Sequence, residues 1–167
     1  RNWEDEKPLN PEMYGITVYF VGNLSVEEKE IKFRHKPKEK DVFIIKKPSP
    51  NEPMAENQII NMTRVGSGQL RKQIFRLDYT AKIRIKAIGE GEDDEMFDYA
   101  WIVDNSKGKI RWKMLFENTL HAGGARKNRY VDETIILEKG EYTVYYTTDD
   151  SHAFNDWNMT PPNTPSD

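Results

Sequence analysis

The residues that could do chemistry are concentrated in a few short stretches, of which the first is acidic. Residues 90–104 are dense in carboxylates and contain no Lys or Arg, and Asp156 follows a second acidic stretch. Hard cations such as Ca²⁺ bind several oxygen ligands at once, which the loops of β proteins can supply. The alternative is a solvated acidic turn that keeps a sheet edge soluble. The candidate Ca²⁺ ligands are Glu92, Asp93, Asp94, Asp149 and Asp150.

The second stretch, residues 121–129, is basic and contains two adjacent glycines. Arg side chains and exposed backbone amides suit an acidic sugar or a phosphate. The alternative is pairing with residues 90–98 of the same or a neighbouring module. With a net charge of −3, one basic loop does not indicate nucleic-acid binding. Trp157 could offer an aromatic platform for a sugar ring, or it could instead pin a loop against the sandwich. The candidate contact residues are His121, Arg126, Lys127, Arg129, His152 and Trp157.

Catalysis is the remaining chemistry to consider. His121 and His152 could join Asp149 or Asp150 in a transition-metal site, and Ser151 stands beside His152. Neighbouring residues of a strand point apart, however, so adjacency does not provide a nucleophile with its base. No nucleophile-elbow, zincin or P-loop motif is present. We therefore expect a non-catalytic structural or adhesive module. The first alternative is a glycan- or ligand-binding module for which Ca²⁺ is the candidate cofactor, and a metal-dependent hydrolase ranks behind it.

Alternation of apolar and polar residues predicts the elements that position these groups. Residues 81–87 alternate apolar and basic side chains, as a half-buried strand does. Residues 97–116 predict a hairpin around the turn at 104–108, and residues 131–146 a second hairpin around Lys139 and Gly140. With further strands near Ile16, at 57–65 and at 69–77, the pattern predicts an all-β antiparallel sandwich, jelly-roll-like. No apolar run approaches the length of a membrane span.

Composition divides the chain into three segments. Residues 22–54 are dense in mixed charge and then in proline, which is typical of a connector. The spacing Trp-x₄-Pro-x₂-Pro occurs at Trp3 and again at Trp157, which indicates a tandem repeat cut out of phase. We therefore predict a sandwich module at 55–167. Residues 1–21 would carry the last strand of a preceding repeat, which either closes its own domain or is exchanged.

This N-terminal strand determines the expected partners. A sandwich that lacks one strand exposes unpaired backbone groups, which another strand can cover. A strand donated to a neighbouring copy would produce head-to-tail assembly, so copies of the chain or adjacent repeats are the expected partners. The assembly strand is predicted to present Ile16, Val18 and Phe20.

Several distinctive motifs lie in residues 57–167, including Gly89-Glu90-Gly91, Asp98-Tyr99-Ala100-Trp101-Ile102 and Asp156-Trp157-Asn158. These motifs resemble those of an uncharacterised β-sandwich repeat module of bacterial secreted and surface proteins. The run Tyr14-Gly15-Ile16-Thr17 is similar to the Trp-Gly-Ile-Thr that follows the prolines in that module. Leu137-x-x-Gly140-x-Tyr142-x-Val144 is also similar to pre-peptidase C-terminal-type domains. The resemblance implies a sandwich fold and an extracellular or cell-surface setting.

Overall fold

The computed structural model describes residues 10–23, 42–45 and 57–162. These residues contain ten strands and two short 3-10 turns. None of them forms a helix with the length and apolarity needed to cross a bilayer. The turns are Pro11–Met13 and Phe116–Asn118, and the strands are β1 (Gly15–Asn23), β2 (Val42–Ile45), β3 (Asn57–Thr63), β4 (Leu70–Leu77), β5 (Ala81–Glu92), β6 (Glu95–Asp104), β7 (Lys109–Lys113), β8 (Leu120–His121), β9 (Asn128–Leu137) and β10 (Gly140–Thr147).

The strands form two layers that are mostly antiparallel. One layer has the order β3-β1-β5-β9-β8, and the other has the order β2-β4-β10-β6-β7. Within the second layer, β2 runs parallel to β4. The two layers join where residues 90–92 of β5 pair with residues 95–98 of β6. This architecture confirms the predicted all-β antiparallel sandwich.

Alternating side chains fill the space between the layers. In β5, Ala81, Ile83 and Ile85 are fully buried, whereas Lys82 is exposed. Each large aliphatic or aromatic side chain buried in this way stabilises the fold by about 1.5–3 kcal/mol. The other layer contributes Phe75, Leu77, Ala100, Ile102, Tyr142, Val144 and Tyr146 to the same core.

Of the two predicted hairpins, only the first is confirmed. Strands β6 and β7 pair around residues 104–108, as predicted. The second prediction is wrong, because β9 pairs with β5 and β8 while β10 pairs with β4 and β6. Alternation reports which residues are buried, and Leu137 and Tyr142 are buried with either pairing. The connection at Glu138 and Lys139 therefore crosses from one layer to the other.

Strand β1 lies inside a layer and not at its edge. It pairs antiparallel with β3 on one side and β5 on the other. Ile16 and Val18 are fully buried, and Phe20 is nearly so. In this structure both sheet neighbours of β1 are therefore strands of its own chain. Strand β10 lies between β4 and β6, so β1 does not pair beside it.

The segment that composition assigns to a connector contributes one strand. β2 pairs in parallel with residues 74–77 of β4, although charge and proline content gave no indication of a strand there. Residues 24–41 and 46–54 of the predicted connector lie outside the described residues. Trp3, Pro8 and Pro165 of the repeated Trp-Pro motif also lie outside them.

Candidate functional site

The acidic stretch forms a tight hairpin. Asp93 and Asp94 stand between β5 and β6 with φ angles of 50° and 69°. Two successive residues with positive φ characterise the type I′ turn, which tolerates Asp because its short polar side chain bonds locally. The twist of this turn matches the twist of the flanking strands. The predicted metal-binding loop is therefore the turn that joins the two layers.

Arg126 from the basic loop faces this turn. Its Nη2 lies 3.1 Å from Oδ1 of Asp93, and its Nε lies 3.8 Å from Oε1 of Glu92. The three side chains are largely solvent-exposed, so the two ion pairs contribute little to stability. Among the candidate Ca²⁺ ligands, Glu92 and Asp93 are thus paired with arginine, and Asp150 is exposed beyond β10. The structure brings the basic and acidic loops of one chain together, as one of the two interpretations predicted.

A buried acidic cluster lies behind this turn, at the two strands that the turn joins. Glu90 of β5 and Asp98 of β6 are direct partners in the sheet, and Asp149 follows β10. One carboxylate oxygen from each residue lies within 4.8 Å of the other two. Glu90 is 3% exposed and Asp98 is 0% exposed, whereas Asp149 is only partly buried. We call Glu90, Asp98 and Asp149 the acidic trio.

Hydrogen bonds hold Asp98 at the centre of the acidic trio. The Tyr14 hydroxyl donates to its Oδ2 at 2.6 Å, and the backbone amide of Asp149 donates to its Oδ1 at 2.8 Å. Burial nevertheless dominates, and it raises the pKa of Asp98 to about 7. Burial also raises the pKa of the Tyr14 hydroxyl well above its ordinary value, because a phenolate beside these carboxylates would be strongly disfavoured.

Glu90 has one cationic partner and one oxygen without a partner. The Lys127 ammonium lies 2.5 Å from its Oε1, and both side chains are buried. Burial raises the pKa of Glu90, although the hydrogen bond and charge of Lys127 act in the opposite direction. The second oxygen, Oε2, is buried and accepts no hydrogen bond from the residues that the structure describes. A buried polar atom in that state costs free energy unless another donor or a cation reaches it.

The remaining part of the basic loop is held by its own chain. His121 Nε2 lies 3.0 Å from the Ala125 carbonyl oxygen, and the Arg129 guanidinium lies 4.1 Å from the Phe116 ring centroid. Arg129 also donates to the Thr119 hydroxyl and carbonyl. These contacts order the loop, and a ligand at Arg129 would have to compete with them.

Asn128 connects this loop to the C-terminal part of the described chain. Its amide nitrogen donates to the carbonyl oxygens of Gly123 and Thr160, so its Oδ1 must face His152. That oxygen lies 2.6 Å from Nε2 of His152. Because Oδ1 can only accept, the histidine proton resides on Nε2, and Nδ1 is left as an acceptor.

On the other side of the imidazole, Oδ1 of Asn158 lies 3.0 Å from Nδ1. A neutral ring with its proton on Nε2 offers only an acceptor at Nδ1, so the Asn158 amide belongs in the orientation rotated by 180°, in which its nitrogen donates to Nδ1. Burial is the main cause that lowers the pKa of His152 to about 4, and the positive charge of Lys127 adds to it. Neither ring nitrogen is directed at Ser151, so the side chains do not form the nucleophile–base pair that a hydrolase needs.

Trp157 is a structural contact of the same region. Its ring meets Tyr14 edge-on at 5.0 Å and His152 edge-on at 5.1 Å between centroids. The side chain is partly buried and lies against the main core. Of the two interpretations of Trp157, these contacts favour the one in which it pins a loop.

Glu90 and Asp98 belong to the acidic stretch but were not among the predicted ligands, although the sequence carries a signal for their burial. The aromatic residues of β6, such as Tyr99 and Trp101, mark the strand, yet they are only partly buried, and their tilted rings lie 5.5 Å apart between centroids. Asp98 has the same parity as Ala100 and Ile102, which are fully buried. A carboxylate in phase with two small or aliphatic residues indicates a buried acid.

Comparisons of the chain with protein-family models, with curated proteins and with solved structures found no match.

Proposed function

We propose that the chain is a non-catalytic structural or adhesive module of an extracellular or cell-surface protein. It assembles in tandem or head to tail when copies exchange strand β1. The observation that carries this proposal is the position of β1 between β3 and β5, remote in sequence from both. The extracellular setting is supported by the resemblance to secreted bacterial repeat modules.

The energetics of β1 support the proposal. Its buried residues Ile16, Val18 and Phe20, with Tyr14 just before them, belong to the main core. At about 1.5–3 kcal/mol for each side chain, their burial stabilises the fold by roughly 6–12 kcal/mol. That range is comparable with the whole stability of an ordinary domain, about 5–15 kcal/mol. The layer formed by β3, β5 and β9 therefore requires a strand in this position, whichever copy supplies it.

Chain length also permits the exchange. Residues 24–41 separate β1 from β2, and a fully extended stretch of that length spans roughly 60 Å. This distance exceeds the length of any single strand in the sandwich. A donor strand that leaves its own sheet can therefore reach the equivalent position in a neighbouring copy, where identical partners are available.

The alternatives receive less support from the contacts. A glycan site at the basic loop would compete with Glu90 for Lys127 and with Thr119 for Arg129. A hydrolase would need a base directed at a nucleophile, whereas the His152 nitrogens face Asn128 and Asn158. These contacts favour a structural role for the described loops.

Single cysteines can test the exchange, because the chain has no native cysteine. Tyr19 of β1 is the direct partner of Arg84 in β5. We would mix chains carrying Tyr19→Cys with chains carrying Arg84→Cys, refold them together at increasing concentration and oxidise them. Exchange predicts a disulfide-linked dimer of the two different chains, in a yield that rises with concentration.

The matched control pairs Tyr19→Cys with Lys72→Cys, an exposed position in the other layer. This pair should give only the background level of cross-linking. If the 19–84 pair cross-links no more than the control, and light scattering shows monomers at every concentration, the exchange proposal is refuted. The strand β1 would then simply close its own domain.

A further inference from the structure

We propose that the acidic trio, Glu90, Asp98 and Asp149, is a Ca²⁺ site. It differs from the site that the acidic turn suggested, because only Asp149 belongs to both sets. The proposal is independent of strand exchange, since it concerns the join between the two layers.

Charge is the first argument. Three carboxylates converge at one point, and Lys127 supplies one positive charge to Glu90. Two of the carboxylates are almost completely buried, where water cannot screen their repulsion. A divalent cation would neutralise the charge that remains.

One oxygen of Glu90 also points to a cation. Oε2 is buried without a hydrogen-bond partner among the described residues, although Oε1 of the same carboxylate is bonded to Lys127. Most buried polar atoms in folded proteins find a partner, so an unpartnered buried carboxylate oxygen suits a bound cation. A cation between the carboxylates would satisfy it.

Ligand chemistry favours Ca²⁺. Ca²⁺ takes about six to eight oxygen ligands at about 2.3–2.6 Å in a flexible geometry. One oxygen from each member of the acidic trio lies within 4.8 Å of the other two, a separation that small side-chain adjustments can bring onto one such ion. Mg²⁺ demands near-ideal octahedral geometry at about 2.0–2.1 Å and gives up its waters reluctantly, so we expect it to bind this site less tightly. The all-oxygen ligand set also disfavours Zn²⁺, which prefers nitrogen and sulfur.

The protein also leaves room for the remaining ligands. The oxygens of Asp98 each accept one hydrogen bond, from Tyr14 and from the Asp149 amide, and each retains a second lone pair. Asp149 is only partly buried and opens the site toward solvent. Water can therefore complete the six to eight ligands, roughly, that Ca²⁺ takes.

Calorimetric titration and thermal melts of the full chain, first treated with a chelator, test the site. At Ca²⁺ about 100-fold above its Kd, the melting temperature should rise by roughly 5 °C or more, with a smaller rise in Mg²⁺. Asp98→Asn should abolish Ca²⁺ binding, because the amide is nearly isosteric but uncharged. Its oxygen can still accept from the Asp149 amide, and its nitrogen can donate to Tyr14. Glu90→Gln provides a second variant if Asp98→Asn does not fold.

The controls separate the two acidic regions. Asp150→Asn alters an exposed neighbour of the site, and the double variant Asp93→Asn, Asp94→Asn removes charge from the turn. Both should keep the full Ca²⁺-dependent shift. The proposal is overturned if the native chain shows no shift, if Asp98→Asn and Glu90→Gln retain it, or if the control variants lose it.

Discussion

The buried histidine permits a quantitative prediction of pH dependence. The pKa of His152 is lowered to about 4 in the folded chain, from an unfolded value of 6.5, chiefly because burial disfavours the imidazolium. The unfolded chain therefore binds a proton that the folded chain excludes between these two values. The contribution of His152 to stability is present above the unfolded pKa and is lost as the pH falls toward the folded pKa. Between about pH 7.5 and pH 4.5 the loss amounts to roughly 2.5 kcal/mol.

The variant for this measurement is His152→Asn. His152 has a φ of 54°, in the left-handed region that Asn tolerates, so the substitution removes the titrating ring with little backbone strain. Urea unfolding followed by Trp fluorescence gives the free energy of unfolding of both chains at each pH. The difference in free energy of unfolding, native chain minus variant, should fall by roughly 2.5 kcal/mol as the pH falls from about 7.5 to 4.5.

The comparison between chains is essential because other groups titrate in the opposite sense. The raised pKa of Asp98 makes the native fold bind a proton that the unfolded chain releases, so its contribution is lost as the pH rises. That contribution is shared by both chains and cancels in the difference. Ser151→Ala, at the neighbouring position, should show no pH-dependent difference from the native chain. If the free energies of unfolding of the native chain and His152→Asn differ by the same amount at every pH, the imidazole is not buried in its neutral form.

Two further substitutions test the join between the layers, and a third, in the β6–β7 turn, serves as a control. Gly89→Ala would place a Cβ 2.0 Å from the Asp98 carbonyl oxygen, so it should cost about 3 kcal/mol or more. Gly108→Ala, at a φ of 63° with nothing near the added carbon, should cost only about 1 kcal/mol, and equal costs in urea unfolding would contradict this account. Asp94→Gly should raise the free energy of unfolding by about 0.5–1 kcal/mol, because glycine relieves the left-handed strain in the type I′ turn. A drop in stability would show that the Asp94 side chain contributes more than its backbone strain costs.

The sequence predicted the strands well because burial alternates locally along each one. Residues 81–87 and 97–104 can be assigned to strands from their own side chains, without knowledge of their neighbours. Pairing is different, since it depends on residues far away in the chain. Leu137 and Tyr142 are buried whether β9 pairs with β10 or faces it across the core, so alternation could not distinguish a hairpin from a crossover.

The acidic turn could be located from the sequence, but its role could not. From their amino-acid composition alone, residues 90–104 suggest one cation-binding loop. The structure divides them, because Asp93 and Asp94 form the turn while Glu90 and Asp98 are buried. Lys127 reaches Glu90 only because β9 pairs with β5 and places the end of the basic loop beside it. That proximity depends on the fold, and no local pattern encodes it.

The interior position of β1 also has a consequence for biosynthesis. The ribosome releases residues 15–21, an uncharged apolar run, well before the partner strand at residues 81–92. At about 5–20 residues per second, the run waits for roughly 4 to 14 s without its main partner. Uncharged segments of this kind associate readily while they are exposed. Until β5 is made, β3 is the only one of its two sheet neighbours that β1 can meet, so under the proposed strand exchange translation speed would influence how many neighbouring nascent chains become linked.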